Sequence, residues 1–339
     1  MTSQRETVHR GTGTSRSTDR IDVHTHFLPD FYVEALNSAG LSRLDGIVGL
    51  PKWSPEAALK LMDQLGVSIA ILSISSPGVH FGDDAAARAL ARRVNEDGAR
   101  LQKSHGGRFG QLASLPLPDI DGAVAEAIYA LDTLRADGVI LLTNHRGVYL
   151  GDPKLEPLYD ELNSRRAVVL IHPTAPPAPI GERLAAKYPL PILEYMFETT
   201  RAVTDLVVAG VMQRYPKIRF IVPHAGAALS VLINRVDMGL PLLTPPGGSP
   251  PPTMREAMKT LHFDLAGAPI PGLLRELLSV ADPQKIHYGS DYPFTPGPVC
   301  DKLEQAIETT DLLDGSLRDE IWRNSALRLF PRLAQRQLA

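Results

Sequence analysis

Short, nearly continuous apolar runs alternate with longer amphipathic segments along most of this chain. Runs that are apolar on both faces are typical of parallel strands covered on both sides by helices. The segments between them repeat apolar side chains at helical spacing. Eight strands are predicted, over residues 21–25, 69–74, 109–115, 138–142, 167–172, 219–223, 261–265 and 286–290.

The amphipathic segments predict helices, and several of them carry recognisable ends. Ser54 followed by Pro55 is typical of an N-cap and a first helical turn, and Gly66 and Gly210 lie at or near predicted helix ends. The clearest helices are predicted over residues 55–66, 84–104, 122–136 and 198–215, and the final segment, 301–335, is interpreted as two further helices.

Eight strands with helices between them favour an α/β fold of the (β/α)8 barrel type, the TIM barrel. A doubly wound open sheet is the alternative interpretation of the same alternation. No glycine-rich phosphate loop follows the first predicted strand, as nucleotide binders of that fold require. The barrel is therefore the predicted architecture.

The chain divides into a short polar arm and one large domain. Residues 1–20 contain almost no core-forming side chain, so we expect a disordered N-terminal arm, and residues 21–339 are predicted to form one barrel catalytic domain. Two proline-rich stretches, 174–193 and 241–252, follow the fifth and sixth strands. Long loops at those strand ends are where a barrel builds its specificity.

Composition narrows the function classes. A net charge of -3 and the lack of a basic stripe with interleaved aromatics argue against nucleic acid as a partner. No run approaches the roughly 18 apolar residues of a membrane span, so no membrane partner is predicted. One cysteine, Cys300, excludes an internal disulfide, and the polar start has no signal-peptide core. We expect a soluble, cytoplasmic protein.

Five metal-favouring side chains follow apolar runs that end predicted strands. They are His24 and His26 after the first strand, His172 after the fifth, His224 after the sixth and Asp291 after the eighth. Residues i and i+2 of a strand share one face, so His24 and His26 can reach one ion together. A lone pair of this kind is weak evidence, because loop carbonyls satisfy histidines equally well. Convergence with the other strand ends predicts a metal site at the barrel mouth.

The motifs HTHF, IHP, PHAG and GSDYPF, together with the helix ETTRAVTDLVVAGVMQRYP, resemble the amidohydrolase superfamily. The resemblance covers about residues 21–333. It is greatest to the branch of metal-dependent decarboxylases, typified by aminocarboxymuconate-semialdehyde decarboxylase and the hydroxybenzoate decarboxylases. Segments such as LPKWSPEAALKLMDQLGV, SISSPG and HRGVYLGDP look most similar to 6-methylsalicylate decarboxylases.

This resemblance assigns roles to the converging residues. It implies that one divalent metal, usually Zn²⁺ and sometimes Mn²⁺, is bound by His24, His26, His172 and Asp291. It also implies that His224 is a catalytic histidine near the metal but not bound to it. In binuclear relatives a Lys or Glu at the end of the fourth strand bridges two metals, but this chain reads DGVILLTNH there, which favours a single ion.

Asn144 and His145 occupy that fourth strand end instead. Two interpretations stay open, contact with substrate and hydrogen bonds within the loop. The loop before the second strand offers only Lys52, or the earlier Arg43, where relatives of the semialdehyde branch place a substrate-binding arginine. This departure argues against a dicarboxylate substrate.

Four further residues are predicted to bind substrate. Phe27, Tyr292 and Phe294 flank the ligand motifs and are placed to stack on an aromatic ring, with packing as the alternative. Arg235 matches a second arginine that in relatives reaches substrate across a dimer interface. Its alternative is a salt bridge to Asp237.

The chain shows no sign of a pyridoxal or thiamine site, so the metal is the predicted device for stabilising charge during loss of carbon dioxide. Asp291 is the candidate proton carrier, and His224 is expected to tune its charge. We predict a decarboxylase of small aromatic acids, such as the ortho-hydroxybenzoate 6-methylsalicylate, acting as a homodimer or higher homo-oligomer. A lactone or amide hydrolase is the main alternative, and a barrel that keeps its metal without turnover is the third.

Overall fold

The structure is a computed structural model that describes residues 19–178, 188–243 and 250–336. Residues 1–18 of the predicted arm lie outside the described residues, and so do residues 179–187 and 244–249 of the two proline-rich loops and residues 337–339. All eight predicted strands are present. They are β1 Arg20–His26, β2 Val67–Ser73, β3 Phe109–Ser114, β4 Gly138–Leu142, β5 Val168–His172, β6 Arg219–Val222, β7 His262–Asp264 and β8 Ile286–His287.

The strands form one parallel sheet whose spatial order equals their chain order, from β1 to β8. Backbone hydrogen bonds then join β1 to the chain at and after β8. Val23 N donates to Tyr288 O at 3.0 Å, and Asp291 N donates to His24 O at 2.8 Å. The sheet is thereby a nearly closed barrel, which confirms the predicted fold.

Helices connect the strands, as the amphipathic segments predict. Ser54 accepts a hydrogen bond from the backbone N of Ala57, and Gly66 adopts the left-handed conformation, with φ 68°, where the helix ends. The described helices are α1 Asp30–Ser38, α2 Pro55–Leu65, α3 Asp84–Ser104, α4 Ile120–Ile128, α5 Glu156–Ser164, α6 Glu194–Val208, α7 Val211–Arg214, α8 Leu229–Gly239, α9 Met254–Thr260, α10 Gly272–Leu278, α11 Gly297–Thr309, α12 Gly315–Asp319, α13 Ser325–Leu329 and α14 Pro331–Arg336.

Two helical predictions need correction. The helix predicted over 198–215 begins four residues earlier and is divided at Gly210, whose φ of 71° interrupts the helical backbone. The two helices predicted over 301–335 are three continuous segments: α11, then α12 and α13 joined without a break by the π-helical turn Glu320–Asn324, then α14. Asp314 caps a new helix with its side chain, and Phe330 leaves helical geometry before Pro331, which disfavours a helical residue ahead of it.

The core has two parts. The larger lies between the sheet and the surrounding helices. The smaller includes Val168 and Leu170, which share the β5 face that carries His172, and packs against Leu329 and Phe330 of the C-terminal segment. This arrangement places apolar packing below the ligand residues inside the barrel. Among the described residues, none of the helices has both the length and the apolar character needed to cross a membrane.

Candidate metal centre

Four side chains that the sequence singled out meet at the carboxyl-terminal end of the barrel. One atom each of His24, His26, His172 and Asp291 lies within 4.8 Å of all the others. The Nε2 atoms of His24 and His26 are 3.2 Å apart, and Asp291 Oδ1 is 3.0 Å from His26 Nε2. Three imidazole nitrogens and a carboxylate at this spacing form a donor set suited to one divalent cation.

The outer nitrogen of each histidine is already engaged. A backbone carbonyl and an ionised carboxylate can only accept hydrogen bonds. A histidine Nδ1 that faces either of them must therefore donate. Donation from Nδ1 leaves a lone pair on Nε2 of a neutral imidazole, which is the form that binds a metal. The partners are Asp264 Oδ2 for His24 at 2.9 Å, Ser73 Oγ for His26 at 2.9 Å and Pro173 O for His172 at 2.7 Å.

The charges around the centre also suit a cation. Burial and the neighbouring imidazoles lower the pKa of His172, so its ring is neutral. Burial disfavours the charge of Asp291, yet His224 and His26 hold the pKa of its carboxyl well below the usual range. Burial likewise opposes charge on His24, but Asp264 raises the pKa of that imidazole to about 9. The carboxylates of Asp264 and Asp291 therefore place negative charge beside the ligand histidines, which suits a bound cation.

His224 lies beside the ligand set rather than in it. Its Nε2 is 3.9 Å from Asp291 Oδ2, and its Nδ1 is buried without a hydrogen-bond partner among the described residues. The backbone of His224 has φ 56° and that of Asp291 has φ 59°. Left-handed backbone at residues with side chains is costly and clusters at functional sites. Both side chains are therefore fixed at the mouth by unusual local geometry.

The backbone that follows β8 approaches the first strand closely at Gly289. A Cβ atom at this position would lie 2.9 Å from the Cβ of His24 and 3.1 Å from that of Asp264. Real Cβ atoms do not tolerate the shorter of these contacts. Only glycine lets the segment after β8 pass near enough for Asp291 to lie beside His24.

A cavity of about 410 Å³ opens from the donor set. Its volume is in the range of small-molecule sites. Among the described residues that line it, none is a lysine or an arginine. The polar lining residues are Asp45, Ser75, Ser76, His172, Tyr195, His224, Asp291 and Thr295, and the apolar ones include Leu44, Ile47, Pro191, Ile192, Met196, Leu273 and Phe294.

The structure separates the predicted substrate-binding residues. Phe294 lines the cavity, and its ring centroid is 5.6 Å from that of His26. Phe27 is buried and meets Trp53 edge to face at 5.9 Å, while Tyr292 packs half-buried against the core. Neither of these two rings is among the residues that line the cavity.

Arg235 is exposed on α8 and is not part of the described cavity wall. The alternative bridge to Asp237 is not formed either, because that carboxylate accepts hydrogen bonds from the backbone N atoms of Met254 and Arg255. Arg43 and Lys52 are also exposed and lie outside the described wall of the cavity.

At the end of β4, Asn144 is used within the loops. Its side chain donates to Ala175 O at 3.0 Å and to Glu198 Oε2 at 3.2 Å, and it accepts from Gly147 N at 3.1 Å. This arrangement supports the second interpretation of Asn144, hydrogen bonding within the loops. His145 lines a different cavity, of about 230 Å³, where burial lowers the pKa of its imidazole to about 3.

Sequence reasoning missed Asp264, Asp45 and Tyr195. Asp264 ends β7, so the rule that polar residues at strand ends point into the mouth applied to it as well. Asp45 and Tyr195 lie in connecting segments without such periodicity, and only the folded chain shows that they line the cavity.

Known proteins share this architecture. The amidohydrolase family model matches residues 21–332. A 6-methylsalicylic acid decarboxylase of Penicillium expansum is 36% identical over 319 residues, which cover 93% of this chain and 97% of that enzyme. A crystal structure of an amidohydrolase II superposes with a TM-score of 0.86 at 37% identity and covers 92% of this chain and 99% of that one.

A further crystal structure is that of the 5-carboxyvanillate decarboxylase of Novosphingobium aromaticivorans in complex with manganese. It superposes with a TM-score of 0.81 at 22% identity, over 92% of this chain and 97% of that one. At this identity, the similarity shows a shared barrel fold and no more.

Proposed function

The chain belongs to the amidohydrolase family, and from that premise we propose that it is a metal-dependent, non-oxidative decarboxylase of a small aromatic carboxylic acid. The proposal rests above all on the donor set of three histidines and Asp291, which opens into a cavity of about 410 Å³ with no cationic side chain among its described lining residues. A substrate carboxylate in such a cavity needs the cation at the ligand residues. The 6-methylsalicylic acid decarboxylase relative supports an ortho-hydroxybenzoate as the substrate.

His24, His26, His172 and Asp291 would hold one divalent ion. Zinc is our proposal from the donor types, and manganese is the alternative, supported by the manganese in the carboxyvanillate decarboxylase. An ion held by these residues would supply a positive charge that stabilises negative charge on the oxygens of the substrate.

Asp291 is the proposed proton carrier. Its low pKa means that it enters the reaction ionised, and it accepts a proton as the phenolic hydroxyl of the substrate ionises. It then delivers this proton to the ring carbon that bears the carboxylate. The bond between that carbon and the carboxylate breaks, its electron pair returns to the ring, and carbon dioxide leaves as aromaticity is restored.

His224 is the proposed catalytic partner of Asp291. Its Nε2 lies 3.9 Å from the Asp291 carboxylate, and its Nδ1 has no partner among the described residues. Because Nδ1 is buried, Nε2 is the nitrogen proposed to hydrogen-bond substrate beside Asp291. Phe294 is the proposed ring contact, because of the three predicted aromatics it alone lines the described cavity. Phe27 and Tyr292 then serve packing.

We further propose a homodimer in the cytoplasm. Two helices in mutual contact, α6 and α8, carry large exposed apolar side chains, namely Phe197, Val231 and Met238. Exposed apolar surface of this kind marks association sites, and Arg235 lies on the same helix α8. A lone buried cysteine, Cys300, agrees with a reducing compartment.

Carbon dioxide release tests the reaction class. Protein loaded with zinc or manganese is mixed with a panel of ortho-hydroxybenzoates, and the phenolic products are identified by mass. We expect release from at least one member, with 6-methylsalicylate among the preferred substrates. Hydrolysis of a lactone or amide, without carbon dioxide release from any panel member, would contradict the proposal and favour the hydrolase.

A further inference from the structure

Asp45 places a carboxylate in the wall of the substrate cavity. It lies in the short turn Leu44–Gly46, between α1 and α2, with a left-handed backbone of φ 49°. Two hydroxyl groups donate to its Oδ2 atom, one from Ser76, at 2.8 Å, and one from Tyr195. Ser76 follows β2 and Tyr195 lies in α6, so Asp45 is held from two separate elements.

The two hydroxyl donors hold this carboxylate in place. Burial and the adjacent Asp45 charge hold the pKa of Tyr195 well above its usual value, so the phenol stays protonated and donates. Ser76 Oγ is in turn 2.8 Å from Thr174 Oγ1, beyond the end of β5. A hydrogen-bonded carboxylate on a strained turn is a fixed negative charge rather than a freely rotating surface group.

No positive side chain balances this charge at the described cavity wall. The other carboxylate there, Asp291, faces the histidines of the donor set. A ring whose own carboxylate is held at the metal end would bring a second anionic substituent into the same cavity whose wall carries Asp45. Like charges in a partly buried site repel far more than in water.

We propose that Asp45 is a specificity-determining residue that restricts the substrate to aromatic acids with a single anionic group. The inference rests on the proposed function, because it places the first carboxylate at the metal. It makes Asp45 a charge filter that accepts hydroxyl, methyl or amide substituents and rejects a second carboxylate. It also gives a physical basis to the missing arginine in the loop before β2, since this part of the wall is negative instead of positive.

A purely structural role is the competing explanation, in which Asp45 only ties the turn Leu44–Gly46 to Ser76 and Tyr195. Two variants separate the explanations. Asp45→Asn removes the charge but keeps an oxygen that accepts both hydroxyl hydrogen bonds. Tyr195→Phe keeps the charge but removes one of the ties.

The experiment compares three ligands on the same hydroxybenzoate ring: the monoacid, the diacid with the second carboxylate at each open ring position, and the matching carboxamides. The carboxamide equals the carboxylate in size without its charge. Values of kcat/KM are measured for metal-loaded protein. The wild type should reject the diacids more than the carboxamides. Asp45→Asn should raise the diacid to monoacid ratio by about tenfold or more, mainly through KM, whereas Tyr195→Phe should leave it unchanged.

Three results would overturn the filter: an unchanged ratio in Asp45→Asn, a raised ratio in Tyr195→Phe, or equal rejection of carboxamides and diacids by the wild type. Calorimetric binding of the same ligands gives the ratio even without turnover, so a failed decarboxylation assay speaks against the proposed function alone. If Asp45→Asn does not fold, salt dependence of the wild type decides. Rejection of diacids must weaken with ionic strength while rejection of carboxamides does not.

Discussion

At the scale of single residues, the candidate metal centre depends on the hydrogen-bond partners of its histidines. Each ligand histidine presents its Nε2 inward because its Nδ1 is bound to a partner. The partner of His24 is the fully buried carboxylate of Asp264, which also accepts a hydrogen bond from the backbone N of His224 at 3.1 Å. Asp264 thereby positions both the candidate ligand His24 and the proposed catalytic histidine His224.

We therefore predict that Asp264→Asn weakens metal binding about 10–100-fold, the usual effect of losing an orienting carboxylate. An amide neither attracts the cation nor enforces the Nδ1 donor state of His24. Metal affinity is measured by chelator competition, and activity should return when excess metal is added. Asp84→Asn is the control, since its side chain is 67% exposed and is paired with His80. Wild-type metal affinity in Asp264→Asn would refute the role.

His224 should behave differently from the ligands. His224→Asn removes a side chain at 3.9 Å from Asp291 without removing a ligand atom. We predict full metal stoichiometry and a loss of about 10²–10⁴ in kcat, the range of a lost general acid or base partner. Asp291→Asn, in comparison, should lose activity together with part of the metal affinity. Metal analysis by plasma emission and steady-state kinetics, on the same samples, distinguish the His224→Asn variant from the Asp291→Asn variant. Loss of metal from His224→Asn would show instead that His224 is a ligand.

At the scale of elements, the strands were predictable and the segments between them were not. Short, continuous apolar runs located all eight strands, because a parallel strand that is buried on both faces requires apolar side chains along its whole length. The four metal-binding candidates followed from those strand ends. Asp45 and Tyr195 escaped prediction because a turn at φ 49° and a helix start carry no periodic signal. The aromatics Phe27 and Tyr292 illustrate the same limit, since proximity to a motif in sequence does not set which way a ring points.

The close approach of Gly289, just after β8, to His24 of β1 can be tested by adding a methyl group. Gly289→Ala introduces a Cβ 2.9 Å from the Cβ of His24, and the two strands must separate. We expect a loss of about 1–3 kcal/mol in the free energy of unfolding, as for overpacking in general, together with weaker metal binding. Gly315→Ala is the matched control, because its added Cβ meets nothing within 4 Å. Denaturant unfolding and metal titration provide both readings, and equal behaviour of the two variants would show that β8 shifts freely.

At the scale of the whole molecule, barrel closure joins the first strand to the last helices. Arg20 opens β1 and is buried, and its guanidinium bonds Glu304 of α11 at 2.5 Å and Leu65 O at 2.8 Å. The same group lies 3.9 Å from the ring centroid of Trp322. The sequence did not predict the ion pair between Arg20 and Glu304, because residues 284 positions apart leave no local pattern.

Removal of Arg20 alone should lower the free energy of unfolding far more than removal of Arg20 and Glu304 together. Arg20→Met removes the buried cation that faces the buried Glu304 carboxylate, so we predict a loss of about 3–5 kcal/mol in the free energy of unfolding. The double variant Arg20→Met with Glu304→Leu should recover most of this loss. Arg100→Met is the control, since its pair with Asp97 leaves the Arg100 side chain 63% exposed and should contribute below about 1 kcal/mol. Denaturant unfolding of the wild type, the single variants Arg20→Met and Glu304→Leu, and the double variant yields the coupling energy of the pair. If Arg20→Met costs no more than Arg100→Met, the N-terminal strand is held by its backbone ladder alone, and the ion pair contributes nothing to closure.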